Sequence, residues 1–482
     1  MSLIPMVDAV RHWSAVAGDD PALTVDERTL SFRELDLMTE TAGHELLRLG
    51  VVQGDRVTLA LPNSVEFIVA AIAILKVGAA IAPLSHRLPL IERQALIDLT
   101  EPSLVIGVDP ADHPGKRCVR QLDISPTADA PRLPTVVSET WKITTSGGTS
   151  GRPKLIITTT PALIDLDAKP DYLLPKRGVV LIPGPLYHTA PFAQSLLAIF
   201  HGCHVIIESR FDAQLTMELL ERHKVNFVLL VPTMMNRIWK LPAVQRDRDL
   251  SALTTVFHMA ARCPVWLKQA WIDWLGPERI FELYGASDSP ANAIISGSEW
   301  LAHPGSVGRP ALGEMCIRDH DGNTLPPKEI GEIWMRPPIG VQSRARVVGA
   351  DQPHDDGWTT VGDLGWMDDD GYVYIADRRS DMIITGGENV FAAEVEAALE
   401  RHAGVLSSAV VGLPDDDLGQ RVHAIVEVAD GVTEEDLRSH MEQHLARYKT
   451  PRTYELTNNA LRDDAGKIRK SDLISSYVDS QS

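Results

Sequence analysis

Residues 145–154 read Thr-Ser-Gly-Gly-Thr-Ser-Gly-Arg-Pro-Lys and combine three glycines, four hydroxyl side chains and two cations in ten positions. Glycines allow successive backbone N–H groups to converge on an anion, while the hydroxyls and Lys154 add further donors. The stretch therefore predicts a loop that binds a polyphosphate such as that of ATP. It is not a Walker loop, because Arg152 and Pro153 separate Gly151 from the lysine. A flexible linker is the alternative, but the Pro-Lys ending and the strand-like residues that follow disfavour it.

Helical patterns alternate with short apolar strands on both sides of this loop. Such alternation is typical of parallel α/β architecture, and the sequence predicts two sheets of this kind. The predicted helices are 32–49, 64–77 and 212–223, and the predicted strands are 56–61, 79–82, 141–145, 179–183, 204–207 and 227–231.

The apolar stretch 65–84 approaches the length of a membrane span. It is interrupted by Glu66, Lys76, Gly78 and Pro83. A buried helix followed by a short strand explains this pattern better, so no membrane span is expected.

The last third of the chain has a different pattern of predicted secondary structure. From about Gly308, short alternating strands and turn signals such as Asp-Gly-Asn predict a small antiparallel or barrel-like unit. After Asp377-Arg378-Arg379 a compact α+β pattern begins. Its predicted helices are 392–401 and 433–446, and its predicted strands are 407–411 and 423–428.

Composition limits the class of protein. A chain of 482 residues exceeds what one hydrophobic core serves, so two or more domains are expected. The 46 basic and 65 acidic residues give a formal net charge of -19, which argues against nucleic acid or an anionic membrane as the main partner. Four widely spaced cysteines without a C-x-x-C pair, and an N-terminus without a secretion signal, favour a reducing cytoplasm.

Six further motifs accompany the glycine loop in a fixed order: Pro185-Leu-Tyr-His188, Tyr284-Gly-Ala-Ser-Asp288, Thr360-Val-Gly-Asp363, Asp377-Arg378, Gly386-Gly-Glu-Asn-Val390 and Gly466-Lys467. Together they resemble the acyl-adenylate-forming superfamily, which includes acyl- and aryl-CoA synthetases, luciferases and nonribosomal adenylation domains. The resemblance covers nearly the whole chain. It implies a large N-terminal domain (residues 1–376) of two doubly wound sheets plus a small β-barrel. It also implies a small, mobile α+β C-terminal domain (residues 377–482) with its hinge at Asp377.

The resemblance also implies a two-step chemistry. A carboxylate is a poor electrophile, so ATP converts it into an acyl-AMP anhydride with release of pyrophosphate, and a nucleophile then displaces AMP. Lys467 would neutralise the charge that gathers on the acid and the α-phosphate during the first step. His188 would lie between the acyl pocket and the phosphate. Both are therefore implied catalytic residues.

Each implied nucleotide contact has a plainer alternative. Asp363 would accept both ribose hydroxyls, since one carboxylate can take two hydrogen bonds, but it could be a turn residue. Tyr284 would stack on adenine or be a core tyrosine, and Arg378 would contact the nucleotide or form a surface ion pair. The full implied nucleotide set is Thr145, Ser146, Gly147, Gly148, Thr149, Lys154, Tyr284, Ser287, Asp363 and Arg378.

Other positions are implied to hold the acid, the metal and the acceptor. Asp288 would hold Mg²⁺, and Gly386 and Gly387 would line the acceptor channel. The implied acid-binding residues are His188, Pro232, Met259, Ala260, Arg262 and Gly285, and they suggest a bulky apolar or aromatic carboxylic acid.

Three departures from the family pattern affect these expectations. Asp288 stands where glutamate is usual, which keeps the charge but shortens its reach. Met259-Ala-Ala-Arg262 stands where Gly-Ala-Ala-Pro is usual, which points to an unusual acid. Ala393 and Ala460-Leu-Arg462 replace Pro and Leu-Pro-Arg, and both changes leave the identity of the second nucleophile open.

The sequence is thus identified as that of an ATP- and Mg²⁺-dependent acid ligase that uses coenzyme A, most similar to bacterial fatty-acid, steroid or bile-acid CoA ligases. The alternative is an amide synthetase that passes the adenylate to an amine; oxygenation and carrier-protein loading are less favoured. A regulatory protein without catalysis is disfavoured by the intact Lys467, Asp363 and Arg378. We expect a monomer or homodimer.

Overall fold

The computed structural model describes residues 3–126, 131–147, 153–287, 289–338, 340–341, 345–349, 354–415, 417–463, 466–470, 472–474 and 477. They form two compact units. The first unit comprises Met1–Leu229, Arg248–Val256 and Val341–Gln352, and the second comprises Leu230–Asp247, Phe257–Gly340 and Pro353–Ser482.

Several helices begin where a side chain accepts a hydrogen bond from one of their first free N–H groups. Ser31 and Glu34 form a capping box at the start of α2, and Ser64 and Asp212 cap α3 and α6. The helices are α1 (Met6–Val16), α2 (Phe32–Arg48), α3 (Val65–Lys76), α4 (Leu90–Thr100), α5 (Thr189–Phe200), α6 (Ala213–Arg222), α7 (Pro232–Trp239), α8 (Ala243–Arg246), α9 (Val265–Leu275), α10 (Gly297–Ala302), α11 (Ala392–Leu399) and α12 (Glu434–His444).

The strands in chain order are β1 (Ile4–Pro5), β2 (Pro21–Val25), β3 (Arg28–Ser31), β4 (Arg56–Leu59), β5 (Ala80–Pro83), β6 (Leu104–Ile106), β7 (Cys118–Val119), β8 (Ile143–Gly147), β9 (Pro153–Thr158), β10 (Leu163–Ile164), β11 (Val179–Ile182), β12 (His204–Ile207), β13 (Phe227–Leu230), β14 (Thr255–His258), β15 (Ile280–Tyr284), β16 (Asn292–Ser296), β17 (Ser306–Leu312), β18 (Glu314–Arg318), β19 (Gly331–Arg336), β20 (Ala345–Val348), β21 (His354–Asp355), β22 (Trp358–Met367), β23 (Val373–Arg378), β24 (Met382–Thr385), β25 (Glu388–Phe391), β26 (Val405–Asp415), β27 (Gly419–Val428) and β28 (Thr453–Thr457).

The first unit contains the two predicted parallel sheets. One has the order β5-β4-β6-β7 with all strands parallel. In the other, β2, β12, β11 and β13 are parallel, and β3 adds an antiparallel edge. A third, antiparallel sheet has the order β20-β9-β8. Helices connect successive parallel strands, so the α/β prediction is confirmed.

Helix α3 is the apolar stretch that approached the length of a membrane span. Almost all its residues are buried, and Lys76 lies between the carboxylates of Asp36 and Glu40, at 2.7 and 2.8 Å. Paired in this way, the buried ammonium is compatible with a protein core. Within the described part of the chain, no helix has the length and apolar character needed to cross a bilayer.

The second unit contains the predicted antiparallel region. Strands β15, β16, β17, β23, β22, β19 and β18 follow one another as neighbours, and the pairings among them are antiparallel. Their apolar core includes Val307, Ile317, Ile333 and Val373.

A separate sheet in this unit has the order β25-β24-β27-β26, with β28 parallel to β27. Helices α11 and α12 contribute to its core. Strands β26 and β27 exceed the predicted 407–411 and 423–428, because their hairpin pairs Val405 through to Asp415 with Val428 back to Gly419. The α+β pattern is confirmed, while the division of the chain at Asp377 remains a prediction.

Candidate active site

The glycine-rich stretch begins in the last residues of one strand of the first unit and ends in the first residues of the next strand. Strands β8 and β9 pair antiparallel, with Thr145 opposite Leu155 and Gly147 opposite Pro153. The backbones of Thr145, Ser146 and Gly147 therefore end one strand, and Lys154 is the second residue of the other. The predicted phosphate contacts Gly148 and Thr149 fall outside the described residues. The stretch leads into a strand rather than into a helix, which agrees with the absence of a Walker pattern.

His188, also in the first unit, occupies the N-cap position of α5. Its backbone N–H donates to the carbonyl of Pro185, and its ring lies 4.5 Å from that of Tyr187 between centroids. The motif from Pro185 to His188 thus forms the turn that leads into a buried helix. The catalytic role of His188 remains a prediction.

Tyr284, Asp363 and Arg378 come together in the second unit. The Tyr284 hydroxyl donates to Oδ2 of Asp363 at 2.8 Å, and Nε of Arg378 lies 3.5 Å from Oδ1. Asp363 and Arg378 are directly opposite each other on β22 and β23. Burial and the neighbouring Asp363 charge raise the pKa of Tyr284, so it remains a neutral donor.

Asp363 and Arg378 differ in their exposure to solvent. Asp363 is buried (8% exposed), whereas the Arg378 side chain is 61% exposed. The buried Asp363 carboxylate therefore accepts a hydrogen bond from Tyr284 and lies beside the exposed cationic side chain of Arg378. A carboxylate in this arrangement can accept hydrogen bonds from a diol, and the cation beside it can bind an anion.

Lys467 lies close to Arg378, one member of this group. Burial of its ammonium and the adjacent Arg378 cation lower the pKa of Lys467, although the residue as a whole is exposed. Gly466, just before it, has φ of +75° and is buried. A Cβ at Gly466 would lie 2.3 Å from Oγ1 of Thr233, so only glycine fits against α7 here. The second unit therefore places the cations of Arg378 and Lys467 near each other, and Arg378 also lies beside Asp363.

The predicted acid-side residues of the second unit lie on segments next to strand ends. Met259 is buried after β14, while Ala260, with φ of +76°, and Arg262 are exposed. Arg262 donates to the carbonyl of Ala376 at 3.3 Å, so this loop is bonded to β23 beside Asp377. Pro232 is the first residue of α7, and Gly285 and Ser287 follow Tyr284.

The predicted hinge residue is a hydrogen-bond acceptor for two backbone groups. Asp377 is buried (6% exposed); its Oδ1 accepts the N–H of Arg378 at 2.8 Å and its Oδ2 accepts the N–H of Ala393 at 3.1 Å. Burial raises the pKa of this carboxyl. Ala393 lies in the first turn of α11, where the family pattern has proline and no N–H. This chain therefore has a hydrogen bond at its predicted hinge that the proline pattern could not make.

Gly386 and Gly387 form a tight turn apart from the group around Asp363. They connect β24 to β25, with Thr385 opposite Glu388, and have φ of +57° and +84°. Two successive positive φ values require glycine-like residues in a two-residue hairpin. Their predicted role in an acceptor channel remains untested.

Asp288, the predicted metal ligand, falls outside the described residues. Elsewhere in the described ranges, no group of three or more His, Cys, Asp or Glu side chains is arranged to hold a metal ion.

Comparison with known proteins decides the family. The sequence pattern of the AMP-binding enzyme family matches residues 10–343, and that of the AMP-binding enzyme C-terminal domain matches residues 394–467. The chain belongs to the AMP-binding enzyme family. The resemblance stated from the sequence motifs is thus confirmed.

Two relatives and one solved structure illustrate the position of this AMP-binding enzyme. It is 27% identical to 2-succinylbenzoate-CoA ligase of Bacillus licheniformis, over 94% of this chain and 96% of the relative. It is 29% identical to feruloyl-CoA synthase of Amycolatopsis sp., over 92% and 93% of the two chains. The fold is similar to that of o-succinylbenzoate CoA synthetase from Bacillus subtilis, solved with its acyl-adenylate intermediate, with a TM-score of 0.81, 22% identity and 98% of each chain covered.

Three residues of the AMP-binding enzyme were not identified from its sequence motifs. Thr233 faces Gly466, and Glu400 lies 3.4 Å from the guanidinium of Arg462. Arg462 was noted only as part of a departure from the family pattern. The contact of Arg462 with its own loop could have been predicted from the sequence, because an arginine five positions before Lys467 can reach back to the carbonyls of that loop. Nothing in the sequence indicates the contacts of Thr233 and Glu400.

Proposed function

We propose that the chain is an ATP-dependent carboxylic acid ligase that forms an acyl-adenylate and then an acyl-CoA thioester. The group formed by Tyr284, Asp363, Arg378 and Lys467 supports this function. A buried carboxylate with a fixed hydroxyl donor suits the ribose, and two adjacent cations suit the point where a carboxylate attacks a phosphate.

The two cations define the first step. Burial of the ammonium and, after it, the neighbouring Arg378 cation lower the pKa of Lys467, so the two cations repel each other in the absence of an anion. A carboxylate and an α-phosphate placed beside them would relieve this repulsion, and the relief grows as negative charge accumulates during displacement of pyrophosphate. The cations therefore favour the transition state over the empty site.

We propose an aromatic acid as the substrate. Met259 and Arg262 add an apolar side chain and a cation where the family pattern has small residues. Two relatives are named for acids that contain a benzene ring, 2-succinylbenzoate and ferulate. The apolar, polarisable side chain of Met259 suits an aromatic ring, since a thioether makes favourable contacts with ring edges.

Magnesium and location complete the proposal. We propose that Mg²⁺ accompanies ATP and that Asp288 is its protein ligand. All four cysteines are free thiols, which suits a reducing cytoplasm.

The experiment is an assay of pyrophosphate release with ATP and a panel of aromatic and aliphatic acids, followed by mass spectrometry of products with CoA and amines both present. We expect acid-dependent release and a CoA thioester, with an aromatic acid giving the highest kcat/KM. Release without acid would contradict the ligase, and an amide product would favour the amide synthetase instead.

A further inference from the structure

The segment that carries Lys467 is anchored by one guanidinium. Arg462 donates to Oγ of Ser407 at 2.9 Å and to the carbonyl of Gly466 at 3.0 Å. It also donates to the carbonyl of Ser408 at 3.3 Å and to Oε1 of Glu400 at 3.4 Å. The Arg462 and Glu400 side chains are only 14% and 11% exposed. Arg462 therefore joins the loop's own backbone to β26 and to the end of α11.

Hydrogen bonds within the loop link the backbone of Lys467 to the residues next to Arg462, so a shift of Arg462 would also move Lys467. The N–H of Lys467 donates to Oδ1 of Asp463, and the N–H of Gly466 donates to the carbonyl of Asp463, both at 2.9 Å. In return the N–H of Asp463 donates to the carbonyl of Lys467 at 2.9 Å. The backbone of Lys467 thus has a fixed place relative to its neighbour Asp463 and, through Gly466, to Arg462.

The Arg378 cation acts against the position in which Arg462 holds Lys467. Arg378 repels the Lys467 ammonium, so an unanchored loop could turn this ammonium away from Arg378 and into solvent. Thr233 restricts the loop on its other side, through its contact with Gly466.

We propose that Arg462, paired with Glu400, is a positioning residue that holds Lys467 beside Arg378 for adenylate formation. This inference rests on the proposed function. A lysine at position 462 would keep the charge but could not span the same four acceptors, because its ammonium lacks the planar fork of a guanidinium. Misplacement of a reacting group by about 1 Å costs on the order of 100-fold in rate.

The test compares Arg462→Lys with wild type in each half-reaction. We expect acid-dependent pyrophosphate exchange to fall by roughly 10- to 100-fold, while thioester formation from synthetic acyl-adenylate and CoA stays within about twofold of the wild-type rate, since Lys467 serves only the first step. Arg438→Lys is the matched control, because it alters an exposed Arg438–Glu434 pair on α12 without touching the loop.

A double variant distinguishes positioning from a structural effect. If Arg462 acts through Lys467, Arg462→Lys should cause no further loss of pyrophosphate exchange in a Lys467→Ala background. Additional loss there, equal loss in both half-reactions, or an unchanged exchange rate would overturn the proposal.

Hydrogen exchange keeps the inference testable apart from the proposed function. The amides of Gly466 and Lys467 should exchange faster in Arg462→Lys than in wild type or Arg438→Lys, whatever reaction the protein catalyses. Unchanged protection would overturn the positioning role. Absence of acid-dependent exchange in wild type, together with faster amide exchange in the variant, would instead reject the proposed ligase and retain the anchor.

Discussion

Replacement of Asp363 by alanine tests whether the nucleotide ribose lies where we propose. The Asp363 carboxylate is buried, and one oxygen already accepts the Tyr284 hydroxyl at 2.8 Å. The alanine variant would remove the acceptor for the ribose hydroxyls. It should leave the acid pocket unchanged, because Asp363 is not among the predicted acid-binding residues.

The expected loss follows from the cost of unpaired hydrogen-bonding groups. A donor left without its acceptor in a buried site costs about 1–3 kcal/mol. At about 1.4 kcal/mol per tenfold change, one unpaired ribose hydroxyl weakens ATP binding by roughly 5- to 150-fold. Titration calorimetry with a non-hydrolysable ATP analogue measures this change in Kd.

A change in the nucleotide provides a control for the change in the protein. The 2′,3′-dideoxy form of the same analogue has no hydroxyls to lose, so Asp363→Ala should weaken its binding much less than that of the parent analogue. Tyr284→Phe serves as a second control, because it keeps the ring and leaves the Asp363 carboxylate in place. Equal weakening of both analogues, or a change in selectivity among acids, would show that the ribose lies elsewhere.

Three further predictions follow from the described contacts. Lys467→Ala should abolish most acid-dependent pyrophosphate exchange and leave transfer from preformed adenylate largely intact, because its charge is needed only while pyrophosphate leaves. Ala393→Pro removes the N–H that donates to Asp377 from a first-turn position where proline is tolerated; it should reduce pyrophosphate exchange relative to CoA transfer. Glu208→Gln should raise the unfolding midpoint at pH 8 and change it little at pH 5, as scanning calorimetry would show. Burial raises the pKa of Glu208 to about 7, so its contribution to stability is present below the unfolded-state pKa of 4.5 and is lost as pH rises to 7.

Each of these has an opposing result. Equal loss of both half-reactions in Lys467→Ala would remove its special role in adenylation. An unchanged ratio of the two half-reactions in Ala393→Pro would show that the bond to Asp377 does not bias the hinge. A destabilised Glu208→Gln at pH 8 would mean that the amide fails to replace the bonds that Glu208 accepts from Thr216 and from the N–H of Asp212.

Proline at position 377 itself would be a less direct test of the hinge than Ala393→Pro. Asp377 accepts hydrogen bonds from Arg378 and Ala393, so Asp377→Pro would remove two acceptor bonds as well as restrict the backbone. Ala393→Pro changes one of these bonds alone.

Local elements of the fold could be predicted because their signals lie close together in the chain. Helix α3 was predicted as 64–77 and spans Val65–Lys76, since Ser64 caps its first turn and Gly78 follows it with φ of +77°. The predicted start of strand β8, 141, is two residues early, because the backbone at Trp141 and Lys142 bonds to Ile81 of β5 before β8 pairs with β9 from Ile143.

The contacts within the site could be predicted only in part. The sequence motifs predict that Tyr284, Asp363 and Lys467 belong to one active site. They do not predict the hydrogen bond from the Tyr284 hydroxyl to Asp363, which lies 79 positions further along the chain. The bond from Ala393 to Asp377 was missed because its donor is a backbone N–H, which every residue except proline carries.

Isotope transfer tests the central claim most directly. If the acid attacks the α-phosphate and CoA then displaces AMP, one oxygen of a carboxylate labelled with ¹⁸O must remain on the released AMP. We predict that mass spectrometry finds one ¹⁸O atom in AMP and none in pyrophosphate after turnover with ATP, CoA and the labelled acid. Unlabelled AMP accompanied by labelled phosphate or pyrophosphate would contradict acyl-adenylate formation.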